Sequence, residues 1–437
     1  MKASKYNIFF DHKGKKFAFN GITGALAEVT KDFDVIMESL KTINESSLDM
    51  DTKDLVNSMK EAKYIIDDNE NELSILKYKN YGGKFRNNTF GLTIAPTLSC
   101  NFACPYCYEQ PKAGFMTDDV KEAIYNQVER AAKRKENVNI SWYGGEPTLA
   151  KNIIIEMSEK MIKICKKYGV EYAAGLTSNC FLIDDDFIKN MINSKITIVQ
   201  ATLDGPPEAH NLTRILKSGD GTFDTIIANA QKIKKSGVDV QFRVNIAKFN
   251  NQCNFEKLLD ILIENGLGNC DVRIGQIIEY TNNCSKISEQ CLATKEMAVE
   301  LIKYYKILVK KGFLSRSKQA YYPRPKAHCC GADNNNSFVV DPLGNLYKCW
   351  VEIGEPCSFG NIKDFKNSDI ISANKESIQY ITWSPFDYAK CLDCNILPFC
   401  MGGCPHAAKQ RGGEPDCIAF KYNLIDMLKI YCDQELG

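Results

Sequence analysis

The sequence predicts an α/β protein whose central region forms a partial (β/α)6, TIM-like barrel. Three observations predict this fold. Strand-like and helix-like patterns alternate six times between residues 92 and 311. The first 88 residues contain no cysteine, and beyond residue 321 the periodicity weakens while Cys, Gly and Pro recur. We therefore expect an N-terminal α+β domain over 1–88, the barrel over 89–315 and a loop-rich C-terminal domain over 316–437.

Composition excludes several classes of function. The 437 residues carry 55 Lys and Arg against 54 Asp and Glu, a net charge of +1, so neither a nucleic acid nor a membrane surface is indicated as a partner. The N-terminal apolar stretch is too short for a signal peptide, and no 18-residue apolar run follows, so a cytoplasmic protein is expected. Cytoplasmic thiol pools keep cysteines reduced, and ligation of metal therefore explains a clustered subset of the 19 cysteines better than disulfides do.

The N-terminal region begins with a hairpin pattern. Two short alternating strands, Tyr6–Phe10 and Lys16–Phe19, flank turn residues at 11–14. Amphipathic helices are expected at Lys31–Leu40 and Thr52–Ala62, and a further strand at Leu73–Tyr78.

The central region supplies the six βα units of the barrel. Its expected strands are Leu92–Ala95, Val138–Trp142, Tyr172–Thr177, Ile196–Leu203, Val238–Asn245 and Val272–Ile278. Its clearest expected helices are Asp118–Lys135, Lys151–Lys167, Asp184–Asn193, Phe223–Ser236 and Phe255–Glu264. Ligand-binding groups of such barrels gather at the carboxyl ends of the strands, and the polar motifs of this chain follow strand ends.

A cysteine trio follows the first of these strands. Cys100, Cys104 and Cys107 have the spacing C-x3-C-x2-C. Three thiolates on one loop can hold three irons of a cubane cluster and leave the fourth iron open, whereas structural zinc usually takes four ligands. A redox trio or a zinc knuckle is the alternative.

The trio resembles the radical S-adenosylmethionine (SAM) superfamily, because Gly144-Gly145-Glu146-Pro147 follows the next strand. The resemblance implies a 4Fe–4S cluster whose open iron binds SAM, and reductive cleavage of SAM to a 5′-deoxyadenosyl radical. It also implies an external electron donor of flavodoxin or ferredoxin type. A scaffold or electron-transfer protein without SAM contacts is the non-enzymatic alternative.

The same resemblance implies a set of SAM-binding residues along the strand ends. Tyr106 would pack near the adenine, and Glu146 would pair with a positive amino group. Cys180 stands where the family has glycine, and Arg214 would contact the SAM carboxylate unless it is only a surface cation. The full set is Tyr106, Gly144, Gly145, Glu146, Ser178, Asn179, Thr202 and Arg214.

Seven further cysteines resemble the SPASM domain, a C-terminal extension with two auxiliary 4Fe–4S clusters. The resemblance assigns Cys391, Cys394, Cys400 and Cys417 to an outer cluster, and Cys330, Cys349 and Cys404 to an inner one. The fourth inner ligand is left open between Cys329, Cys357 and an iron that takes a substrate thiolate. Two zinc ribbons are the competing interpretation, although they would leave one cysteine over.

The N-terminal region resembles the winged-helix-like element that captures precursor peptides, which it would bind by adding a strand to its sheet. The resulting hypothesis is a radical SAM maturase that forms Cys thioether cross-links in a ribosomally made precursor peptide. Carbon–carbon cross-linking and formylglycine formation by an anaerobic sulfatase-maturing enzyme are the alternatives. No residue is identified as the catalytic acid or base.

Overall fold

The computed structural model describes residues 1–43, 45–86, 88–250, 254–313, 321–370 and 375–435. The chain divides into two compact units. One, here called the sheet unit, comprises Asn87–Lys318 and Gly331–Thr382. The other, here called the terminal unit, comprises Met1–Arg86, Gln319–Cys330 and Trp383–Gly437.

The sheet unit is built on one nine-stranded sheet and a separate two-stranded hairpin. The nine strands, in chain order, are β6 (Thr89–Ile94), β9 (Asn137–Trp142), β10 (Tyr172–Ser178), β11 (Ile196–Leu203), β12 (Asp239–Ile246), β13 (Asp271–Gln276), β14 (Ser337–Val340), β15 (Asn345–Tyr347) and β16 (Gly360–Asn361). The hairpin strands are β7 (Thr97–Leu98) and β8 (Lys112–Phe115).

The sheet unit has eight helices among its described residues, of which the first seven connect its parallel strands and the eighth follows the last strand. They are α4 (Asp118–Lys133), α5 (Lys151–Tyr168), α6 (Asp185–Asn193), α7 (Pro207–Thr213), α8 (Phe223–Lys235), α9 (Phe255–Glu264), α10 (Thr294–Lys310) and α11 (Lys375–Thr382). Their buried faces carry regularly spaced apolar residues, such as Val120, Ile124 and Val128 on α4.

The predicted α/β fold with a central parallel sheet is confirmed. The sheet runs β13-β12-β11-β10-β9-β6-β14-β15-β16, so the six predicted strands lie side by side in chain order and in parallel. This open series is the expected partial barrel. The sequence did not indicate β14, which pairs in parallel with β6 and continues the sheet from the C-terminal region. The predicted boundary at 315/316 lies outside the described residues.

The strand ends are level with one another, which brings the following loops to one edge. Ile94 at the end of β6 is in register with Trp142 at the end of β9, and Trp142 is in register with Leu176 of β10. Ser178 pairs with Ala201 on β11. The polar motifs that follow these strands therefore share the carboxyl edge of the sheet.

The terminal unit contains two small sheets and short helices. Its strands are β1 (Lys2–Ala3), β2 (Asn7–His12), β3 (Lys15–Asn20), β4 (Leu26–Glu28) and β5 (Ile65–Ile66). Its helices are α1 (Lys31–Ser39), α2 (Met50–Glu61), α3 (Glu72–Phe85), α12 (Ala389–Leu392), α13 (Leu397–Cys400), α14 (Pro405–Gln410) and α15 (Phe420–Glu435). Strands β2, β3 and β4 form an antiparallel sheet, and β1 pairs with β5.

The strand predicted at Leu73–Tyr78 is wrong, because these residues belong to helix α3. The Asn71 side chain caps the helix by accepting a hydrogen bond from the Ser74 backbone N–H. Leu76, Asn80 and Lys84 are buried at intervals of four residues, which is a helical period. The apparent alternation in the sequence covered too few residues to outweigh this spacing.

The hairpin of the N-terminal region and the C-terminal helices share one core. Phe10 and Phe17 of the hairpin belong to the same buried cluster as Phe399 and Leu428 of α13 and α15. Met1–Arg86 and Trp383–Gly437 thus belong to one compact unit. The winged-helix-like description of this region stays a prediction. Among the described residues, no helix is long and apolar enough to cross a membrane.

Candidate active site at the carboxyl edge of the sheet

The cysteine trio lies on a loop that is closed at its base and held along one side. Its base is the hairpin of β7 and β8. Along its side, the Ala103 N–H donates to the Ile215 carbonyl (2.9 Å), and the Lys217 N–H donates to the Asn101 carbonyl (3.0 Å). The loop is therefore fixed by backbone hydrogen bonds to the segment that follows Arg214.

The three thiols of this loop lie close enough to one another to interact electrostatically, although Cys107 is exposed and Cys100 and Cys104 are half-buried. Removal of the thiol from solvent, together with the nearby Glu109, Cys104 and Cys100, raises the pKa of Cys107 to about 12. Burial also raises the pKa of Cys100 to about 12, with Glu146 and Cys104 adding to the rise. Among the described residues, no three His, Cys, Asp or Glu side chains are arranged to hold a single metal ion. The thiolates of an iron–sulfur cube bind different irons and need a wider spacing than the ligands of one ion.

Gly144 and Gly145 pack against the chain that leads into the cysteine loop. A Cβ on Gly144 would lie 2.4 Å from the Thr97 carbonyl oxygen, and one on Gly145 would lie 2.4 Å from that of Ser99. Gly144 also has φ of +113°. The close approach that the sequence suggested is thus made to the protein's own backbone. This close approach lets the Glu146 N–H donate a hydrogen bond to the Ser99 carbonyl at 2.8 Å.

The Glu146 carboxylate is buried and fully hydrogen-bonded. Its Oε1 accepts from the Thr148 N–H (2.9 Å), the Thr148 hydroxyl (2.5 Å) and the Ser178 hydroxyl (2.8 Å). Its Oε2 accepts from the Asn179 N–H at 2.7 Å. Burial raises the pKa of Glu146, and these hydrogen bonds oppose the rise. Glu146 therefore ties the loop after β9 to the loop after β10.

In the loop after β10, the residue that replaces the family's glycine has a left-handed backbone conformation. Cys180 has φ of +60°, a conformation that glycine adopts without strain. Its side chain is buried, and Asn229 Nδ2 donates to its carbonyl at 2.8 Å. The neighbouring Asn179 side chain donates to Asn101 Oδ1 at 2.8 Å, beside the first cysteine.

Tyr106, Asp204 and Arg214 form a buried polar cluster behind the cysteines. The Tyr106 hydroxyl donates to Asp204 Oδ2 (2.5 Å) and accepts from Arg214 Nη1 (3.1 Å). The Thr213 hydroxyl also donates to Asp204 Oδ2, at 2.7 Å. Arg214 is 8% exposed and lies over the Phe102 ring, so it is not a surface cation.

Four buried polar atoms around the cysteine loop have no hydrogen-bond partner among the described residues. They are Asn101 Nδ2, Glu109 Oε2, Asp204 Oδ1 and Arg214 Nε. Burial and the nearby Glu146 raise the pKa of Glu109 to about 8. Buried polar atoms are nearly always paired, so these two donors and two carboxylate oxygens fit a ligand with both cationic and anionic groups. SAM, with its amino and carboxylate groups, has that character.

The remaining strand ends add a threonine and a polar pair. Thr202 is buried near the end of β11, in register with Arg243 of β12. Arg243 Nε donates to Asn245 Oδ1 at 2.7 Å. The predicted residues Tyr106, Glu146, Ser178, Asn179 and Arg214 are thus joined by contacts around the cysteine loop, whereas none of these contacts involves Thr202.

A row of aromatic side chains borders the same edge. The Tyr108 and Tyr143 hydroxyls hydrogen-bond to each other, and the Tyr143 ring stacks on Trp350 with centroids 5.8 Å apart and planes 14° apart. Tyr280 meets Tyr108 edge-on, also at 5.8 Å. Trp350 directly follows Cys349 in the chain, so the row extends from the cysteine loop to a predicted auxiliary ligand.

Sequence reasoning missed three residues of this site. Asp204 directly follows β11, and that position is the signal that could have identified it. Arg243 alternates with Asn245 on β12, and that period could have placed it at the sheet edge. Nothing in the sequence distinguishes Glu109 from an exposed acidic residue.

We expect Tyr106→Phe to destabilise the sheet unit by about 2 kcal/mol, because Asp204 and Arg214 would each lose a buried partner. Binding of SAM is also expected to weaken, since Arg214 would lose the hydroxyl that positions it. Chemical denaturation and equilibrium binding of SAM measure the two effects. Tyr172→Phe, which removes a hydroxyl that donates to Ser158 at 3.4 Å, is the matched control. Equal effects of the two variants on SAM binding would contradict the role of Tyr106.

The terminal unit brings together the four cysteines predicted for the outer cluster. Burial, followed by Cys400, Cys394 and Cys417, raises the pKa of Cys391 to about 11. Burial also raises the pKa of Cys400, with Cys394 and Cys417 contributing to the rise. Lys421 Nζ lies 3.3 Å from Cys394 Sγ. Four mutually close thiols beside a lysine match the donor set and the charge balance of a four-cysteine cluster.

Gly402 and Gly403 allow the four cysteines predicted for the outer cluster to lie close together. A Cβ on Gly403 would lie 1.6 Å from the Asp416 carbonyl oxygen, and the Asp416 N–H donates to the Gly402 carbonyl at 3.1 Å. Only a residue without a side chain lets the segment ending in Cys417 approach Cys400 in this way.

We therefore expect Gly403→Ala to displace Cys417 and lower the iron content by about four per chain. Gly412→Ala is the matched control, because Gly412 also has positive φ (+66°) but has nothing within 4 Å of its Cβ position. The control should cost only about 1 kcal/mol and keep its iron. Iron and sulfide analysis after anaerobic reconstitution measures the difference. Equal iron contents in the two variants would contradict the assignment.

The three cysteines predicted for the inner cluster, and the two candidates for its fourth ligand, are divided between the two units. Cys330 contributes to the raised pKa of Cys404 within the terminal unit, where burial is the main cause. Within the sheet unit, burial raises the pKa of Tyr380, and Cys349, Glu352 and Cys357 raise it further. The Cys329 thiol donates to the Gly403 carbonyl at 2.8 Å. The influence of Cys349 and Cys357 on the pKa of Tyr380 shows that both cysteines lie close to this tyrosine.

Residues 94–262 match the family model of the radical SAM superfamily. A cysteine-type anaerobic sulfatase-maturating enzyme of Clostridium perfringens is 26% identical over 345 residues, which cover 72% of this chain and 88% of that protein. The solved structure of native anSMEcpe with bound AdoMet superposes with a TM-score of 0.62 at 21% identity, covering 78% of this chain and 99% of that one. Streptococcus suis SuiB bound to its precursor peptide SuiA gives a TM-score of 0.54 at 15% identity, covering 94% and 96%.

Proposed function

We propose that this chain, an S-adenosylmethionine-dependent enzyme of the radical SAM superfamily, modifies a ribosomally made precursor peptide by forming Cys thioether cross-links. The observation that carries the proposal is the position of the cysteine loop. It lies at the carboxyl edge of the parallel sheet, among buried polar atoms that lack partners. When bound, a 4Fe–4S cluster there would supply the electron that cleaves SAM to a 5′-deoxyadenosyl radical.

Different residues of the chain would bind the cluster and SAM. Cys100, Cys104 and Cys107 would hold the cluster, and the backbone bonds to 215 and 217 fix their loop. Arg214 and Asp204 would face the oppositely charged groups of SAM, because each has an unpaired buried atom. Glu146 has no unpaired oxygen, so we assign it to positioning the Ser178–Asn179 loop rather than to direct pairing with SAM.

The C-terminal cysteines support two auxiliary clusters. Cys391, Cys394, Cys400 and Cys417 would hold the outer one. Cys330, Cys349 and Cys404 would hold the inner one, and we favour Cys357 over Cys329 as its fourth ligand. Cys357 shares the surroundings of Tyr380 with Cys349, whereas the Cys329 thiol donates to a carbonyl.

The thioether step needs an electron acceptor, which these clusters would provide. When the C–S bond forms, transfer of one substrate C–H hydrogen atom to the 5′-deoxyadenosyl radical and loss of the cysteine thiol proton would leave one electron over. A cluster held by the auxiliary cysteines would supply the acceptor for that electron. A flavodoxin or ferredoxin type donor would return the enzyme to its reduced state.

A peptide substrate is supported by the terminal unit and by the comparisons. The β2-β3-β4 sheet has two edge strands, to which an extended leader could add a strand. SuiB, whose fold is similar over nearly the whole chain, binds a precursor peptide.

Formylglycine formation is the second candidate, and carbon–carbon cross-linking is a variant of the first. The sulfatase-maturating enzyme that matches 72% of this chain favours formylglycine formation. The two chemistries differ in their products, because a thioether keeps the cysteine sulfur whereas formylglycine replaces it with oxygen.

Iron analysis tests the cluster count on which the proposal depends. Anaerobic reconstitution is expected to give about twelve irons per chain if three 4Fe–4S clusters form. A value of about four would leave only the SAM-binding cluster and would remove the electron acceptor from the mechanism.

A further inference from the structure

A cleft of about 400 Å³ lies within the sheet unit, beside the hairpin that closes the cysteine loop. Strand β8 forms one wall, and residues 341–345 and 354–358 form the other. Its volume is within the range of ligand-binding pockets. Its lining residues on β7 and β8 close the base of the cysteine loop, and the side chains on its other wall have no role in the site described above.

The cleft shares the carboxyl edge of the sheet with the cysteine loop. Val340 at the end of β14 is in register with Ile94 at the end of β6. The turn at 341–344 and the hairpin strand β7 therefore leave the sheet at the same edge. Leu98 of β7 lines the cleft, and its backbone carbonyl meets the Cβ position of Gly145 at 2.5 Å.

The wall formed by β8 offers a strand edge for pairing. Strand β8 pairs with β7 on one side only, and all four of its residues are exposed. An extended peptide can form backbone hydrogen bonds with such an edge, whereas a small molecule without a peptide backbone cannot satisfy it along its length.

The side chains of the cleft define the chemistry of its occupant. Phe115 and Leu343 are apolar yet 52% and 63% exposed, and Leu98 lies between the two walls. Lys112 donates to the Gly354 carbonyl, and Asp341 accepts from the Asn345 N–H and the Tyr347 hydroxyl of β15. The described contacts give Glu355, by contrast, no partner for its carboxylate. An apolar side chain followed by a basic one fits these walls.

We infer that this cleft binds the substrate peptide as an added strand on β8, with an apolar side chain between Phe115 and Leu343 and a basic side chain facing Glu355. The inference rests on the proposed function, because it assigns the binding subsite of that peptide. It places the segment that will be modified beside the cysteine loop.

Fluorescence anisotropy with a labelled decapeptide tests this subsite without turnover. The probe has a central Leu-Lys pair in an extended Thr and Val background. Phe115→Asp and Leu343→Asp are each expected to weaken its binding roughly tenfold, the usual effect of losing an anchor contact. Ile192→Asp, at an apolar side chain of α6 that is 51% exposed, should leave the affinity unchanged.

Modified peptides test the backbone pairing and the charge. N-methylation at alternate residues blocks one edge of an extended peptide, so one of the two possible methylation patterns should abolish binding and the other should not. Glu355→Gln should weaken the Lys peptide but not the same peptide with Gln in place of Lys. Absence of probe binding, equal loss from both methylation patterns, or insensitivity to Phe115→Asp and Leu343→Asp would overturn the inference.

The outcomes separate this inference from the proposed function. If the probe binds as expected but no peptide is ever modified, the peptide-binding role of the cleft is supported and the proposed function is overturned. If peptides are modified and neither Phe115→Asp nor Leu343→Asp slows the reaction, the proposed function is supported. The assignment of the peptide to this cleft is then overturned.

Discussion

Cys104→Ala is expected to abolish the release of 5′-deoxyadenosine from SAM. The three thiols of the loop lie close to one another, and the backbone hydrogen bonds of Ala103 and Lys217 hold the loop so that no other part of it can replace a missing thiol. With two thiolates left, the cluster should be lost, and the iron content should fall by about four per chain. Anaerobic incubation with SAM and reductant, followed by chromatography of the products, measures the loss.

Cys165→Ala is the control for this experiment. Cys165 is buried on α5 and belongs to none of the cysteine groups. Its replacement should cost about 1 kcal/mol of stability and leave both iron and SAM cleavage intact. If Cys104→Ala still cleaves SAM, the cluster has been assigned to the wrong cysteines.

Glu146→Gln is expected to have the second-largest effect. The carboxylate accepts four hydrogen bonds in a buried position, and an amide would turn an N–H donor toward the Asn179 N–H. The resulting unpaired donors should cost about 3 kcal/mol of unfolding free energy. SAM cleavage by the folded fraction should also fall by at least about tenfold, because the Ser178–Asn179 loop would lose its anchor.

A second buried carboxylate provides the control. Glu136 is 3% exposed, is paired with Arg134, and precedes β9 at the opposite edge of the sheet. Glu136→Gln should lower stability while leaving SAM cleavage per folded molecule unchanged. A positioning role for Glu146 would be refuted if both variants lost stability and neither lost activity.

The barrel strands could be predicted because each one is a short apolar run between amphipathic helices. Ile196–Leu203 is β11 with the predicted bounds, and the other five strands agree to within three residues at each end. The helix at Glu72–Phe85 was missed, since an apparent alternation over six residues resembles a strand. Strand β14 was missed because its four residues lie among loops and gain their order from pairing with β6.

The site could be predicted only where a motif fixed it. The cysteine spacing and Gly144–Glu146 indicated the loops that meet, but not the atoms that pair. Tyr106 was expected beside an adenine, and the structure shows where its hydroxyl lies, between Asp204 and Arg214. Those contacts join residues about a hundred positions apart, and spacing within one sequence carries no signal for them.

The mass of a modified peptide tests the central claim most directly. The reconstituted chain would be incubated anaerobically with SAM, a reductant and a cysteine-containing precursor peptide encoded beside its gene, with a cysteine-containing sulfatase peptide in parallel. The precursor peptide is expected to lose two hydrogens per cross-link, and its sulfur is expected no longer to react with iodoacetamide. Loss of one sulfur and two hydrogens with gain of one oxygen in the sulfatase peptide, with the precursor peptide unchanged, would contradict thioether formation.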